Sequence, residues 1–228
     1  MTFNKIMVAI LMLFLFACNS SKNAFRNNYE QKIKLTTDSG VIVLKLYNQT
    51  PLHRNNFIEL VKQHYFDSLM FHRVIKNFMI QGGDPDSKRA KPGVKLGEGG
   101  PKYTIPAEFD STIFHKKGVI AAARESDEVN PKREISASQF YIVQGKVFTD
   151  KDLDAAEIKR NIVIPEYRRK IYRTIGGTPH LDMKYTVFGE VISGLDVVDK
   201  IAAAKTDSNN RPDHDIRMKI RLIKKGKG

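Results

Sequence analysis

Both ends of this chain carry the pattern of a β-strand, and that limits its fold more than any other feature. Near the C-terminus Ile216, Met218, Ile220 and Leu222 alternate with Arg217, Lys219 and Arg221, the period-two signature of a half-buried strand. Near the other end Lys32 to Thr37 and Val41 to Tyr47 alternate in the same way around Asp38-Ser39-Gly40, whose residues favour a tight turn, so a hairpin is expected. Short apolar runs follow between Phe66 and Phe148: Phe78-Met79-Ile80, Val119 to Ala123 and Phe140 to Val143, separated by segments rich in Gly, Pro and charge. Short strands joined by long loops, with a strand at each terminus, favour a sheet that closes on itself, because closure removes exposed edges.

Two helices are expected to cover that sheet. Thr50 is placed to cap a helix with Pro51 at its first position and with Phe57, Leu60 and Val61 at helical spacing. Ser193 is placed to cap a second one carrying Leu195, Val198, Ile201 and Ala202. Between Lys146 and Ile175 the texture becomes charged and helical, around Ala155, Ile158 and Ile162 and again after Pro165 through Tyr167 and Ile171. This segment, about 146–175, is read as an insertion. Packing, partner binding and a membrane-facing basic surface all remain open as its role.

Residues 1–17 have the form of an export signal: Lys5 supplies positive charge, Ile6 to Phe16 form an apolar run too short to span a bilayer comfortably, and Leu15-Phe16-Ala17-Cys18 closes it. That ending resembles a bacterial lipobox, which implies lipidation of Cys18, a polar tether over 18–30 and attachment to a membrane of the cell envelope. Asn19 rather than Asp after the cysteine leans the expectation towards the periplasmic face of the outer membrane. Cys18 is the only cysteine, so the chain has no second thiol for a disulfide. The net charge of +13 is spread along the sequence rather than clustered, which fits an anionic membrane surface better than nucleic acid. His53, His64, His115, His180 and His214 show no metal-ligand spacing, and Gly97 to Gly100 lack the lysine of a phosphate-binding loop. No metal, cofactor or nucleic acid is expected, and a monomer is.

One run carries more information than any pattern. Phe71-His72-Arg73-Val74-Ile75 followed by Phe78-Met79-Ile80-Gln81-Gly82-Gly83-Asp84 resembles the signature of the cyclophilin family. The resemblance continues in order through Tyr103 to Phe109, Ser138-Gln139-Phe140-Tyr141-Ile142 and Leu181-Asp182 leading into Tyr185 to Gly189. It implies a mainly β fold over 31–226: a closed eight-stranded antiparallel barrel capped by two helices, with a peptide groove on its outer face. It also implies cofactor-free isomerisation of X-Pro bonds in proline-containing segments of unfolded or maturing proteins.

The resemblance assigns roles residue by residue. Arg73 matches the catalytic arginine, with Gln81 orienting it and Phe78 beside it. Phe78, Met79, Tyr141 and Leu181 match the proline pocket, and Ala123 and Gln139 match groove positions. His72 and Tyr185 match flanking positions, where a structural hydrogen bond is the expected use of His72. Tyr141 stands where many members have Phe, Tyr185 where eukaryotic members have His, and Arg124 where others have Asn. His180 replaces a Trp associated with cyclosporin binding, so weak inhibition by that drug is expected. A groove-bearing module that only binds peptide is the competing reading.

Overall fold

The computed structural model describes residues 30–224; the expected signal 1–17, Cys18 and nearly all of the tether 18–30 lie outside the described residues. The fold is that of the compact unit beginning at Gln31. In chain order it contains β1 (Lys32–Thr37), β2 (Gly40–Leu46), α1 (Pro51–Lys62), β3 (Phe71–Ile75), β4 (Met79–Gly82), β5 (Thr104–Ile105), β6 (Val119–Ala122), β7 (Ile135–Ser136) and β8 (Phe140–Val143). Then come α2 (Asp150–Arg160), α3 (Glu166–Thr174), β9 (Val187–Ser193), α4 (Leu195–Ala202) and β10 (Met218–Leu222).

Eight strands form one antiparallel sheet in the order β10-β1-β2-β9-β6-β8-β4-β3. The expected opening hairpin is there: β1 pairs β2 from Lys32↔Lys45 to Thr37↔Gly40. The two edges then meet. Met70 bridges Arg217, the Met218 N–H donates to the Leu69 carbonyl at 2.8 Å, and the Phe71 N–H donates to the Ile216 carbonyl at 3.0 Å. The sheet therefore curls until its first and last strands touch, as the terminal patterns demanded. β5 and β7 form a separate small ribbon.

Alternation divides the side chains into two sets. Ile33, Leu35, Ile42, Leu44, Ile80, Ile120, Phe140, Ile142 and Phe188 fill the interior, where Phe57, Leu60 and Val61 of α1 and Val198 and Ile201 of α4 join them. Met79, Val119, Ala121, Tyr141, Val143 and Val187 gather in a second cluster on the other face of the same strands, together with Leu181. That second cluster becomes the floor of the site.

Both expected caps are replaced. Thr50 makes no side-chain cap bond; the α1 N–H groups of Leu52 and His53 go instead to the Glu108 carboxylate, at 3.0 and 2.9 Å. Ser193 ends β9, and Gly194 with φ +90° occupies the start of α4. Only glycine fits there comfortably, because a Cβ would overlap the Val41 carbonyl oxygen. In the 146–175 segment Thr149 and Asp152 form a reciprocal capping box, and α2 ends at Asn161 in the left-handed conformation, so Ile162 lies past the helix. Ile158 and Ile162 are exposed; Leu153 is the residue that α2 buries, against Phe114, Ile164 and Tyr172.

Candidate functional site

A shift of register lets one strand serve two purposes. Between Phe71 and Arg73 the pairing with β4 slips by a bulge. Phe71 and Val74 both enter the interior, while Arg73 and Ile75 turn to the outer face and His72 takes the bulge itself. Arg73 sits directly across from Gln81, and its Nη1–H donates to Gln81 Oε1 at 3.1 Å. The Gln81 amide then donates to Gln139 Oε1 at 3.1 Å, and the Gln139 amide donates to the carbonyls of Gly97 and Gly99 at 2.9 and 2.8 Å. Each amide is thus fixed in orientation by the next, ending on backbone.

Beside this relay lies a cavity of about 140 Å³ lined by Arg73, Phe78, Met79, Gln81, Ala123, Arg124, Tyr141, Leu181 and Tyr185. Eight of these were assigned from the sequence; Arg124 is the addition. Its Nε–H donates to the Lys184 carbonyl at 2.8 Å, and its guanidinium lies 4.8 Å from the Tyr185 ring centroid, which tethers the loop carrying Tyr185 to the end of β6. Phe78 stacks on His180, with ring centroids 5.5 Å apart at 29°. Tyr141 meets Tyr185 edge to face at 5.9 Å. The cavity walls are largely aromatic and aliphatic, with two guanidinium groups at the rim: Arg124, tied to the Lys184 carbonyl and the Tyr185 ring, and Arg73, held by Gln81.

A wider cavity of about 590 Å³ adjoins it and shares Gln81, Ala123 and Arg124. Gln139 lines this larger space together with Gly97, Gly99, Tyr103 and Asn130. His72 lines neither cavity. It is buried, both ring nitrogens are without a partner, and the expected structural hydrogen bond is absent among the described residues.

Electrostatics follow burial. Desolvation draws the Arg73 pKa below its ordinary value, opposed by Tyr185, yet a guanidinium stays charged at any physiological pH. Its one polar side-chain partner among the described residues is the neutral Gln81, so its charge is not quenched by a carboxylate. Burial pushes the Tyr141 phenol well above its usual range, so it is present as a hydroxyl. His180 is pushed down to about 4, chiefly by burial, and stacks as a neutral ring.

Residues 32–221 match the family model described as cyclophilin type peptidyl-prolyl cis-trans isomerase/CLD. A protein of Staphylococcus haemolyticus named as a peptidyl-prolyl cis-trans isomerase is 33% identical over 195 residues, covering 82% of this chain and 88% of that one. A Staphylococcus aureus protein of the same name is 33% identical over 198 residues, with the same coverage of both chains. The crystal structure of a Cryptosporidium parvum cyclophilin type isomerase superposes with a TM-score of 0.64 at 22% identity, covering 86% of this chain and 99% of that one.

Proposed function

The chain belongs to the cyclophilin-type peptidyl-prolyl cis-trans isomerase family, and from that premise we propose that it accelerates rotation about X-Pro bonds in exported proteins as they fold, with Arg73 stabilising the twisted amide. The rotation breaks no covalent bond but gives up amide resonance, a barrier of roughly 18–20 kcal/mol that can limit folding. In the twisted state the proline nitrogen regains a lone pair and can accept a hydrogen bond, which the planar ground state cannot do.

The observation that carries this reading is a half-buried guanidinium at the rim of an apolar cavity, oriented by Gln81 and unpaired with any acid among the described residues. Gln81 occupies one N–H and leaves the others for substrate. A charge-assisted bond formed mainly in the transition state contributes about 1.5–3 kcal/mol, or one to two powers of ten in rate. Phe78, Met79, Leu181 and Tyr141 supply apolar contact for the proline ring, and the adjoining 590 Å³ cavity offers room for the residues that flank it. A C. parvum relative crystallised in the presence of the dipeptide Ala-Pro supports an X-Pro ligand class.

The test is the cis-to-trans rate of a short X-Pro peptide with the protein and with Arg73→Ala. Acceleration by the native form that falls by at least about tenfold in the variant is expected. A folded native protein that does not accelerate the reaction overturns the proposal. We place the enzyme on an envelope membrane through a lipid on Cys18; a Cys18→Ala variant that still fractionates with membranes and still takes up labelled lipid contradicts this.

A further inference from the structure

One carboxylate next to the cavity is surrounded by donors from two separate parts of the chain. Asp182 Oδ1 accepts from the His115 backbone N–H at 2.8 Å and lies 3.1 Å from His115 Nδ1. Asp182 Oδ2 accepts from the Tyr172 hydroxyl at 2.7 Å and from Arg168 Nη1 at 3.4 Å. With the carboxylate accepting throughout, a neutral His115 ring carries its proton on Nδ1 and leaves Nε2 as an acceptor. Nε2 lies 3.0 Å from the Tyr141 hydroxyl, which is therefore the donor. The His115 and Tyr141 rings lie within 15° of parallel, and His115, Tyr141 and Asp182 are all buried or nearly so.

Asp182 thus touches two cavity walls at once. Leu181 is its neighbour in the chain, held in a short 3-10 turn whose Leu181 N–H donates to the Thr178 carbonyl at 3.0 Å, and Tyr141 is reached through His115. Its other partners, Arg168 and Tyr172, belong to α3, in the 146–175 segment. Tyr172 is fully buried and packs edge to face on Phe114 at 5.6 Å, while the Arg168 guanidinium lies 5.2 Å from that same ring and also donates to the Ser111 carbonyl.

We propose that Asp182 is a positioning residue for the proline pocket, and that through Tyr172 and Arg168 the 146–175 segment sets how firmly that pocket holds its proline. This rests on the reading of the cavity as a proline site. The segment is then part of the substrate-binding apparatus although none of its residues lines the cavity. Removing the Tyr172 hydroxyl leaves Asp182 Oδ2 with only the longer Arg168 contact at 3.4 Å, so the carboxylate is held less firmly and both Leu181 and the His115–Tyr141 pair lose part of their fixed reference. Arg73 and Gln81 are held by a separate relay and keep their geometry.

The experiment measures KM and kcat separately for an X-Pro peptide with the full-length protein, Tyr172→Phe, Tyr141→Phe and the double variant. Loss of either hydroxyl is expected to raise KM about three- to tenfold, the worth of one hydrogen bond, while kcat changes by less than about twofold. The double variant should be no worse than the more affected single one, because both changes act on one chain of bonds. A folded Tyr172→Phe with native KM, or a double variant whose losses multiply, overturns the inference. Should Tyr172→Phe fail to fold, the ring nitrogen resonances of His115 in the unmodified protein decide. They move on peptide titration if pocket and network are joined and stay still if they are not. A native protein with no isomerase activity sinks the reading of the site itself, whereas native activity with an inert Tyr172→Phe sinks only the coupling.

Discussion

The Glu108 carboxylate closes the start of a helix more than fifty residues earlier in the chain, holding the His53 backbone N–H at 2.9 Å and the His53 ring Nδ1 at 2.7 Å. Carboxylates are favoured at helix N-termini because the first N–H groups have no partner within the helix. The Thr50 hydroxyl beside it is buried and unbonded. Glu108→Gln is expected to cost about 1–2 kcal/mol in urea unfolding. Thr50→Val should be neutral or stabilising by up to about 1 kcal/mol, since it replaces an unsatisfied hydroxyl with a methyl of the same shape. A Thr50→Val loss larger than that of Glu108→Gln refutes this division of roles.

The same pair marks where sequence reasoning stopped. Strand periodicity foretold β1, β2 and β10 and hence the closure between Met70 and Arg217, because the period of a strand is written in neighbouring residues. The residues that meet in the 140 Å³ cavity were reachable only through the resemblance, since Arg73, Ala123, Tyr141 and Leu181 come from separate strands and a turn and share no local pattern. Thr50 and Ser193 were plausible caps on local chemistry and lost to Glu108 and to the left-handed backbone of Gly194. Asp182 entered the resemblance only as the residue after Leu181, and nothing in the sequence linked it to His115, 67 positions away. In α2 the sequence marked a helix but not its buried side: Ile158 is 83% exposed while Leu153 is buried, because a helix held by Arg169 bonds to Asp150, Asp154 and Glu157 needs only a narrow apolar stripe.

His72 makes stability depend on pH. Burial is the main cause that pushes its pKa from the ordinary 6.5 down to about 4, with Arg73 and Arg211 adding to the effect and Asp84 opposing it. The folded state therefore holds the ring neutral while the unfolded chain protonates it below pH 6.5. The unfolded state binds more protons in that window, so the contribution is intact above 6.5 and is lost as pH falls from 6.5 towards 4, by up to the order of 3 kcal/mol. His53 and His180 are also lowered by burial and add slope of the same sign. Replacing His72 by Leu removes two unbonded nitrogens and should flatten the fall in unfolding free energy between about pH 7 and pH 5. An unchanged slope in that variant shows that His72 is not the group responsible.

Gly177 is where the 146–175 segment rejoins the barrel, and its lack of a side chain is a packing requirement. It bridges Lys116 on one side and Lys146 on the other, with its N–H donating to the Lys146 carbonyl at 3.0 Å. A Cβ there would overlap the His115 carbonyl oxygen and stand 2.7 Å from the Tyr172 ring and 2.9 Å from the Lys116 Cα. Two of those neighbours are backbone, which cannot turn aside as a flexible side chain would. Gly177→Ala is therefore expected to lower stability by more than about 2 kcal/mol. Gly100→Ala, whose new methyl would meet nothing closer than 3.8 Å, should stay within about 0.5 kcal/mol of the native protein. Because the displaced atoms belong to His115 and Tyr172, a folded fraction of Gly177→Ala should also bind X-Pro peptide less tightly. Equal unfolding midpoints for the two alanine variants contradict the packing described at this junction.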